Sequence, residues 1–503
     1  VRRVACIALP EIRVEIATVP RASASGDVLA VVVARRGGAV KTERDVLGNT
    51  RLDVVSREAR AAGIRAGQTV AAARAKHAGL RVRVVAEDAV EGALARVAEV
   101  AMAFGPAAAF DVTDDVVWVE IGGCAHLQGG ESALARELAA RVRSLGHACA
   151  VAVADGPRIA SAVARFSEAA KGEPRIVPAG QGGEAMRALP IAALALDDDV
   201  TRWLVDLGLR RCGDLQKLPR RALGTRLGAR AHDVMLRLDG EDRAPLTAWR
   251  PPEVPEERVE LEWGAESTEA LAFVLKTLCD RLAARLHGRA MAAARLELVL
   301  ALDRALSGDA PAVSTLSAVL SAPLSRAADL LAVLRVRLEQ HTLAAPALVV
   351  TLRAPELART TGRTLDMLEP EPRAALALPR LVAELGAELG PARVGVLALQ
   401  DTWSPDERTR LVPYGTAVPS RRLVGRRPCT SALEPSRLVE PSRVSLEQLT
   451  SVRLLGRFEA TEWWRRTSRR RDLAAAWFGW GREGGLAWVE LGEDDALVRG
   501  WVD

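Results

Sequence analysis

The stretch that decides how this chain is read is FDVTDDVVWVEIGG, residues 110–123. It holds four carboxylates, Asp111, Asp114, Asp115 and Glu120, and runs straight into an apolar strand. Acids at the lip of a strand are how metal-dependent phosphoryl-transfer enzymes hold Mg²⁺, an ion that takes near-octahedral oxygen coordination. Such a site needs carboxylates converging from more than one strand. The natural donor is the N-terminal strand, which nucleotide-handling sheets usually place centrally. Here it reads VACIALPEIRVE (4–15), with no acid between Val4 and Pro10 and with Glu11 past the proline. Alternation from Asp115 puts Asp115, Val117, Val119 and Ile121 on one face, and Val116, Trp118 and Glu120 on the other. Asp111 and Asp114 suit a turn, where Asp side chains bond their own backbone. Two readings stay open: part of a metal site, or an acidic turn that is structural.

At 503 residues the chain is long enough for several domains, taking about 100 to 200 residues for each. No apolar run approaches the roughly 18 to 20 residues of a membrane span. The N-terminal VRRVACIAL is cut off by Pro10, Glu11 and Arg13 and reads as a strand rather than a signal peptide. Six cysteines with no CxxC pair, and six histidines away from metal-ligand spacing, point to a reducing cytoplasm with no zinc site. The net charge of +5 is unevenly spread: residues 420–471 hold 13 Arg against 5 Glu. A basic block of this kind suits a polyanionic partner, because neutralising phosphates releases counterions. A solvated basic linker is the alternative.

Outward from the acidic stretch, residues 1–170 alternate strand and helix signals, among them LAVVVA (29–34) and HACAVAVA (147–154). The pattern predicts a mixed α/β domain with a helix-backed sheet. In TRWLVDLGLRRCGDLQKLP (201–219) two helices meet at Leu207, Gly208 and Leu209, followed by Arg210 and Arg211. This helix-hairpin-helix pattern presents backbone N–H groups to a DNA phosphate, or is a packing hairpin. PPEVPEE (251–257) reads as a linker. Beyond it the signals run strand 258–263, helix 267–286, strands 292–302 and 312–320, helix 324–338 and strand 346–352, a split βαββαβ domain. Arg281, Arg285 and Arg289 form a basic stripe along its first helix, or a solvated face. The chain's end carries Trp463, Trp464, Trp477, Trp480, Trp488 and Trp501 in a small β-rich module, either for docking a partner or as core.

The order of these motifs resembles Y-family translesion DNA polymerases: palm, fingers, palm, thumb, little finger. SREARAAGIRAGQTVAAARAKHAGLRVRVVAED (56–88) is similar to the family's fingers segment, and LVDLGLRRCGDLQKLP (204–219) to its thumb. The family's hairpin motif, S-x-D-E and a strand, falls on Thr113-Asp114-Asp115-Val116, so Val116 stands where the catalytic glutamate is expected. The first-strand aspartate has no counterpart. Arg60 matches a triphosphate-contacting arginine, while Arg57 replaces the tyrosine before it. GGCAHLQGGE (122–131), RVGVLALQDTWSPDE (393–407) and the Trp-rich end further resemble the ImuB family, Y-family homologues without polymerase activity in the bacterial mutasome.

The resemblance implies a multi-domain α/β chain: palm-like 1–28 and 90–190, fingers-like 29–89, a helix-hairpin-helix thumb 191–250 and a little finger 255–355. A Pro/Arg-rich linker, 356–449, and the Trp-rich docking module, 450–503, follow. It implies a non-catalytic DNA-binding scaffold with no cofactor and no metal, acting in the cytoplasm and at the nucleoid. Its partners would be DNA, the sliding clamp (β subunit), ImuA and an error-prone C-family polymerase. Asp114 and Asp115 would be vestigial. Leu207, Gly208, Leu209, Arg210, Arg211, Arg285 and Arg289 would meet DNA. TLDML, that is Thr364, Leu365, Asp366, Met367 and Leu368, sits where the family places a clamp-binding peptide, or is ordinary linker. The competing expectations are an active polymerase using Glu11, Asp114 and Asp115, and an unrelated helix-hairpin-helix repair factor.

Overall fold

The computed structural model describes residues 2–18, 28–167, 173–306, 311–360, 373–399, 409–414, 437–458, 471–480 and 483–502. They fall into two compact units, 1–391 and 392–503. The clamp-peptide candidates Thr364 to Leu368, and Trp463 and Trp464, lie outside the described residues. No helix among the described residues is long and apolar enough to cross a membrane.

The first unit opens with β1 (Arg3–Ala8), α1 (Ile12–Thr18), β2 (Leu29–Ala34), β3 (Val54–Val55), α2 (Arg57–Ala61), α3 (Val70–Lys76) and β4 (Arg81–Ala86). The chain then forms α4 (Glu87–Ala101), β5 (Ala108–Asp111), β6 (Val116–Glu120), α5 (Glu131–Ser144), β7 (Ala150–Asp155), α6 (Pro157–Phe166) and β8 (Arg175–Ile176). A five-stranded sheet has the order β5-β6-β1-β7-β8, with the N-terminal strand at its centre. Both faces of that strand are buried, so it reads as an unbroken apolar run rather than an alternation. Ala5, Ile7, Val117 and Val119 face a core shared with α4 and α5. Cys6, Ala8, Val116 and Ala152 face a second core beneath α6. Residues of β2, β3 and β4 make a separate three-stranded sheet with its own small core.

Five helices follow: α7 (Gly182–Arg187), α8 (Asp198–Asp206), α9 (Cys212–Gln216), α10 (Arg220–Leu227) and α11 (Ala231–Leu238). Their apolar sides, including Met186, Leu204, Leu215 and Val234, complete the core under α6. Next come β9 (Glu256–Ala265), α12 (Thr268–Gly288), β10 (Met291–Leu302), β11 (Val313–Leu324), α13 (Ala327–Glu339), β12 (Ala347–Arg359) and α14 (Arg373–Leu389). The sheet order is β11-β10-β12-β9, all antiparallel. Each βαβ crossover therefore skips one strand: β9 and β10 flank β12, and β11 and β12 flank β10. This is the split arrangement expected. Helix α14 falls within the stretch expected to be linker, yet Ala383 and Ala387 bury into this domain's core.

In the second unit β13 (Gly395–Leu399) pairs with β14 (Thr409–Pro413). A five-stranded antiparallel sheet has β15 (Arg437–Ser445), β16 (Leu449–Phe458), β17 (Arg471–Trp480), β18 (Glu483–Leu491) and β19 (Asp495–Val502). Its order is β15-β19-β18-β17-β16. The sheet thus takes its first strand from residues expected to be linker.

Candidate functional site

The lip of the five-stranded sheet is where β1 ends and β6 begins. Antiparallel pairing sets Ala8 opposite Val116 and Ile7 opposite Val117, and Leu9 N–H donates to the Asp115 carbonyl at 2.9 Å. The two side chains at the strand ends, where metal-binding acids would have to stand, are alanine and valine. Both are buried in the core beneath α6.

Asp115 is not on the strand face. Its φ is +51°, a left-handed conformation that Asp tolerates in turns better than most residues. Alternation counted from it therefore begins one residue too early, because the strand starts at Val116. Asp111 does close a turn on its own backbone, accepting from Thr113 N–H at 2.7 Å. The other acids are taken up by arginines. Arg13, from α1, places Nε 3.0 Å from one Asp115 carboxylate oxygen and 3.1 Å from the other. Its Nη2 donates to the Val112 carbonyl at 2.6 Å. Arg165, in the last turn of α6, holds Asp114 at 2.7 Å. Glu11 pairs with Arg60, and Glu120 lies 3.3 Å from Arg2. Burial pushes the Asp115 carboxyl above the usual carboxylate range, against the opposing pull of the Arg13 charge.

A divalent cation bound by protein needs several converging oxygens, and a guanidinium supplies none. Among the described residues no three His, Cys, Asp or Glu side chains converge as a metal-holding group. The donor set does not fit a two-metal centre: the first strand offers no acid, and Glu11, Asp114 and Asp115 each point to a different arginine. A cavity of about 590 Å³ adjoins the lip, lined by Asp114, Asp115, Arg143, Arg165, Glu173 and Arg175 among others. Its charges of both signs match in number.

The helical hairpin forms between α8 and α9. Gly208 turns it with φ +83°, a conformation that glycine reaches without a Cβ clash. The N–H groups of Leu207, Gly208 and Leu209 bond to Trp203, Val205 and Leu204 carbonyls. Those of Arg210 and Arg211 donate to one oxygen of Asp214 at 3.1 and 3.0 Å. These bonds hold the Asp214 carboxyl below its ordinary range. This corrects the expectation that the turn's N–H groups are free for phosphate: Asp214 occupies the last pair. The Arg210 and Arg211 side chains and the exposed Leu207 are what the hairpin presents outward.

Arg285 and Arg289 are not a surface stripe, which is a second correction. Arg285 Nε lies 3.0 Å from Glu99, and Arg289 grips the same carboxylate at 3.0 and 3.2 Å. Glu99 is itself fully buried on α4. The tryptophans divide as well. Trp488 is buried, and Trp501 packs edge-on against Phe478 with centroids 5.9 Å apart. Trp501 also packs against the module's own core. Trp477 is half-buried, and Trp480 ends β17.

Sequence reasoning missed Arg13, Arg165 and Glu99. Each acts on a partner more than 50 residues away, so no local spacing marks it.

Comparison with known proteins bears on the same region. The impB/mucB/samB family model matches residues 29–165. Protein ImuB of Caulobacter vibrioides strain NA1000 / CB15N is 36% identical over 199 residues, which are 39% of this chain and 42% of that protein. Protein ImuB of strain ATCC 19089 / CIP 103742 / CB 15 gives the same figures. The matched stretch thus spans less than half of those relatives. Among solved structures, an insertion ternary complex of Dbh DNA polymerase is 13% identical with a TM-score of 0.39, covering 70% of this chain and 98% of that one. DinB from Sulfolobus solfataricus is 12% identical at the same TM-score and coverage. The chain is thus similar to Protein ImuB over those 199 residues and to the impB/mucB/samB family over residues 29–165, and its described residues form a mixed α/β fold with a β-rich C-terminal region.

Proposed function

We propose that this ImuB-like chain is a non-catalytic DNA-binding scaffold in damage-induced mutagenesis and translesion synthesis. In this reading it joins DNA to a sliding clamp, ImuA and an error-prone C-family polymerase. The observation that carries it is the state of the lip acids. Asp115 is held by Arg13, Asp114 by Arg165 and Glu11 by Arg60, and the strand ends between them are Ala8 and Val116. Phosphoryl transfer draws most of its rate from positioned charge, and in polymerases that charge is carried by metal ions on acids. A lip whose carboxylates are already neutralised by guanidinium groups supplies no such frame. The rival reading, a polymerase using Glu11, Asp114 and Asp115, needs those carboxylates free to share a metal; each is paired with its own arginine instead.

DNA binding would then use the thumb hairpin through the Arg210 and Arg211 side chains. Contacts of that kind position a duplex without reading its sequence. The clamp is assigned to residues 364–368, and partner docking to the tail that includes Trp463 and Trp464. Primer extension tests the reading. With Mg²⁺ or Mn²⁺ the purified chain extends no primer, yet it binds the same primer–template with an affinity that falls steeply with salt. Extension that Asp115→Ala abolishes would refute it. In pull-downs, partner capture that survives deletion of 450–503 overturns the docking assignment.

A further inference from the structure

The segment that joins the helical region to the four-stranded domain is fastened along its length. Trp249 N–H donates to the Ala108 carbonyl on β5 at 2.7 Å, and the Trp249 ring meets Phe110 edge-on at 5.5 Å. Arg289 Nη1 donates to the Pro252 carbonyl at 2.7 Å, and Arg285 donates to the Glu256 carbonyl. The proline-rich stretch 251–257 has the composition of a flexible linker, but its backbone is stapled by Arg285 in the last turn of α12 and by Arg289 just beyond it.

Those arginines also form a buried ionic cluster across the two domains. Glu99 of α4 and Glu257 of β9 are 0% and 1% exposed. Glu99 receives Arg285 and, through two contacts, Arg289. Glu257 lies 3.3 Å from Arg285 and 3.5 Å from Arg96 of α4. The cluster therefore alternates between domains: an α4 acid with α12 bases, and a β9 acid with an α4 base. The backbones meet beside it. A Cβ on Gly288 would stand 1.9 Å from the Glu99 carbonyl oxygen and 3.2 Å from the Val100 Cα, so the end of α12 approaches α4 more closely than any other residue allows.

We infer that the four-stranded domain is a fixed extension of the five-stranded one, locked by the Glu99–Arg285–Arg289 and Glu257–Arg96 contacts rather than free to swing on a linker. The physical reason is that separating the domains would strand buried Glu99 from Arg285 and Arg289, and Arg96 from Glu257, at a desolvated seam. Buried ion pairs contribute little net stability against an apolar seam, but breaking one member is strongly unfavourable. Such a cluster therefore fixes one register instead of merely strengthening contact.

The test uses the full chain with spin labels on genetically encoded ketone residues at Glu137 and Thr315, both exposed, so that native cysteines are untouched. Double electron–electron resonance should give one narrow distance for the wild type. Glu99→Gln, which keeps the shape and removes the charge, should shift the closed-to-open ratio by roughly a hundredfold and broaden the distribution. Arg289→Gln sits at the helix end and leaves the Glu99–Arg285 contact, so it serves if Glu99→Gln fails to fold; it should broaden the distance less. A broad or double distance in the wild type overturns the inference. So does a narrow, unchanged distance in the Arg289→Gln chain.

Discussion

Replacing Arg13 by methionine isolates the interaction that takes the place of a metal at the sheet lip. Arg13 and Asp115 are 14% and 15% exposed at their side chains, and two N–O contacts of 3.0 and 3.1 Å join them. The substitution leaves a mostly buried carboxylate without its counter-charge and the Val112 carbonyl without its donor. Orphaning a buried charge costs about 3 to 5 kcal/mol, and residual solvent access places this pair at the lower end, about 3 kcal/mol. The loss depends on pH in a definite direction. Asp115 titrates above its ordinary 3.8 because of burial, and without Arg13 it titrates higher still. Its folded form then binds a proton more readily than the unfolded form, so stability is lost as pH rises through the folded value and is recovered below the ordinary one. Native-state hydrogen exchange of β1 and β6 amides reads this locally, without requiring the whole chain to unfold in one step. Arg13→Met should show its full deficit at pH 7.5 and a smaller one at pH 5, and Arg13→Met/Asp115→Asn should regain most of it. A deficit below about 0.5 kcal/mol at pH 7.5, the scatter of ordinary surface substitutions, would show that Arg13 does not neutralise Asp115.

Further expectations follow from other contacts. Asp214→Asn should speed amide exchange at Arg210 and Arg211 while leaving α11 unchanged, because the carboxylate is their acceptor. Gly288→Ala should destabilise by at least 1 to 3 kcal/mol, an overpacking cost, measured by urea unfolding of the first unit, since the new methyl meets a backbone oxygen. Trp488→Ala should cost about 3 to 5 kcal/mol in the five-stranded C-terminal sheet, seen as lower exchange protection there, because Trp488 is interior. Burial pushes Cys212 and Cys279 up to about 12, so both should resist a thiol reagent at pH 8 until the chain is denatured.

Much of this architecture was legible in the chain itself. LAVVVA became β2 to the residue, and HACAVAVA holds all of β7 but Asp155. Apolar runs bounded by turn residues carried those readings. Strand β12 was expected to stop at 352 but continues to Arg359 through Pro355. The register against β10 shifts there, between the Glu297–Arg353 and Arg295–Glu356 pairs. A proline inside a strand is tolerated at such a bulge, a tertiary circumstance that no local pattern reveals. The acidic stretch divides in the same way. Asp111 bonding its own turn follows from short-range chemistry. That Arg13 and Arg165 would claim Asp115 and Asp114 depends on how α1 and α6 pack, across separations of 102 and 51 residues. The stripe drawn through Arg285 and Arg289 failed for the same reason: helical spacing puts both on one side of α12, and only packing against α4 tells that this side is interior.

Counting bound Mn²⁺ by electron paramagnetic resonance on the purified chain decides whether Asp114, Asp115 and Glu120 serve the arginines they meet or a metal. With Asp115 held by Arg13, no saturable Mn²⁺ site that responds to Asp115→Ala is expected. A stoichiometric Mn²⁺ site that Asp115→Ala removes, and that Arg13→Met strengthens, would contradict that pairing.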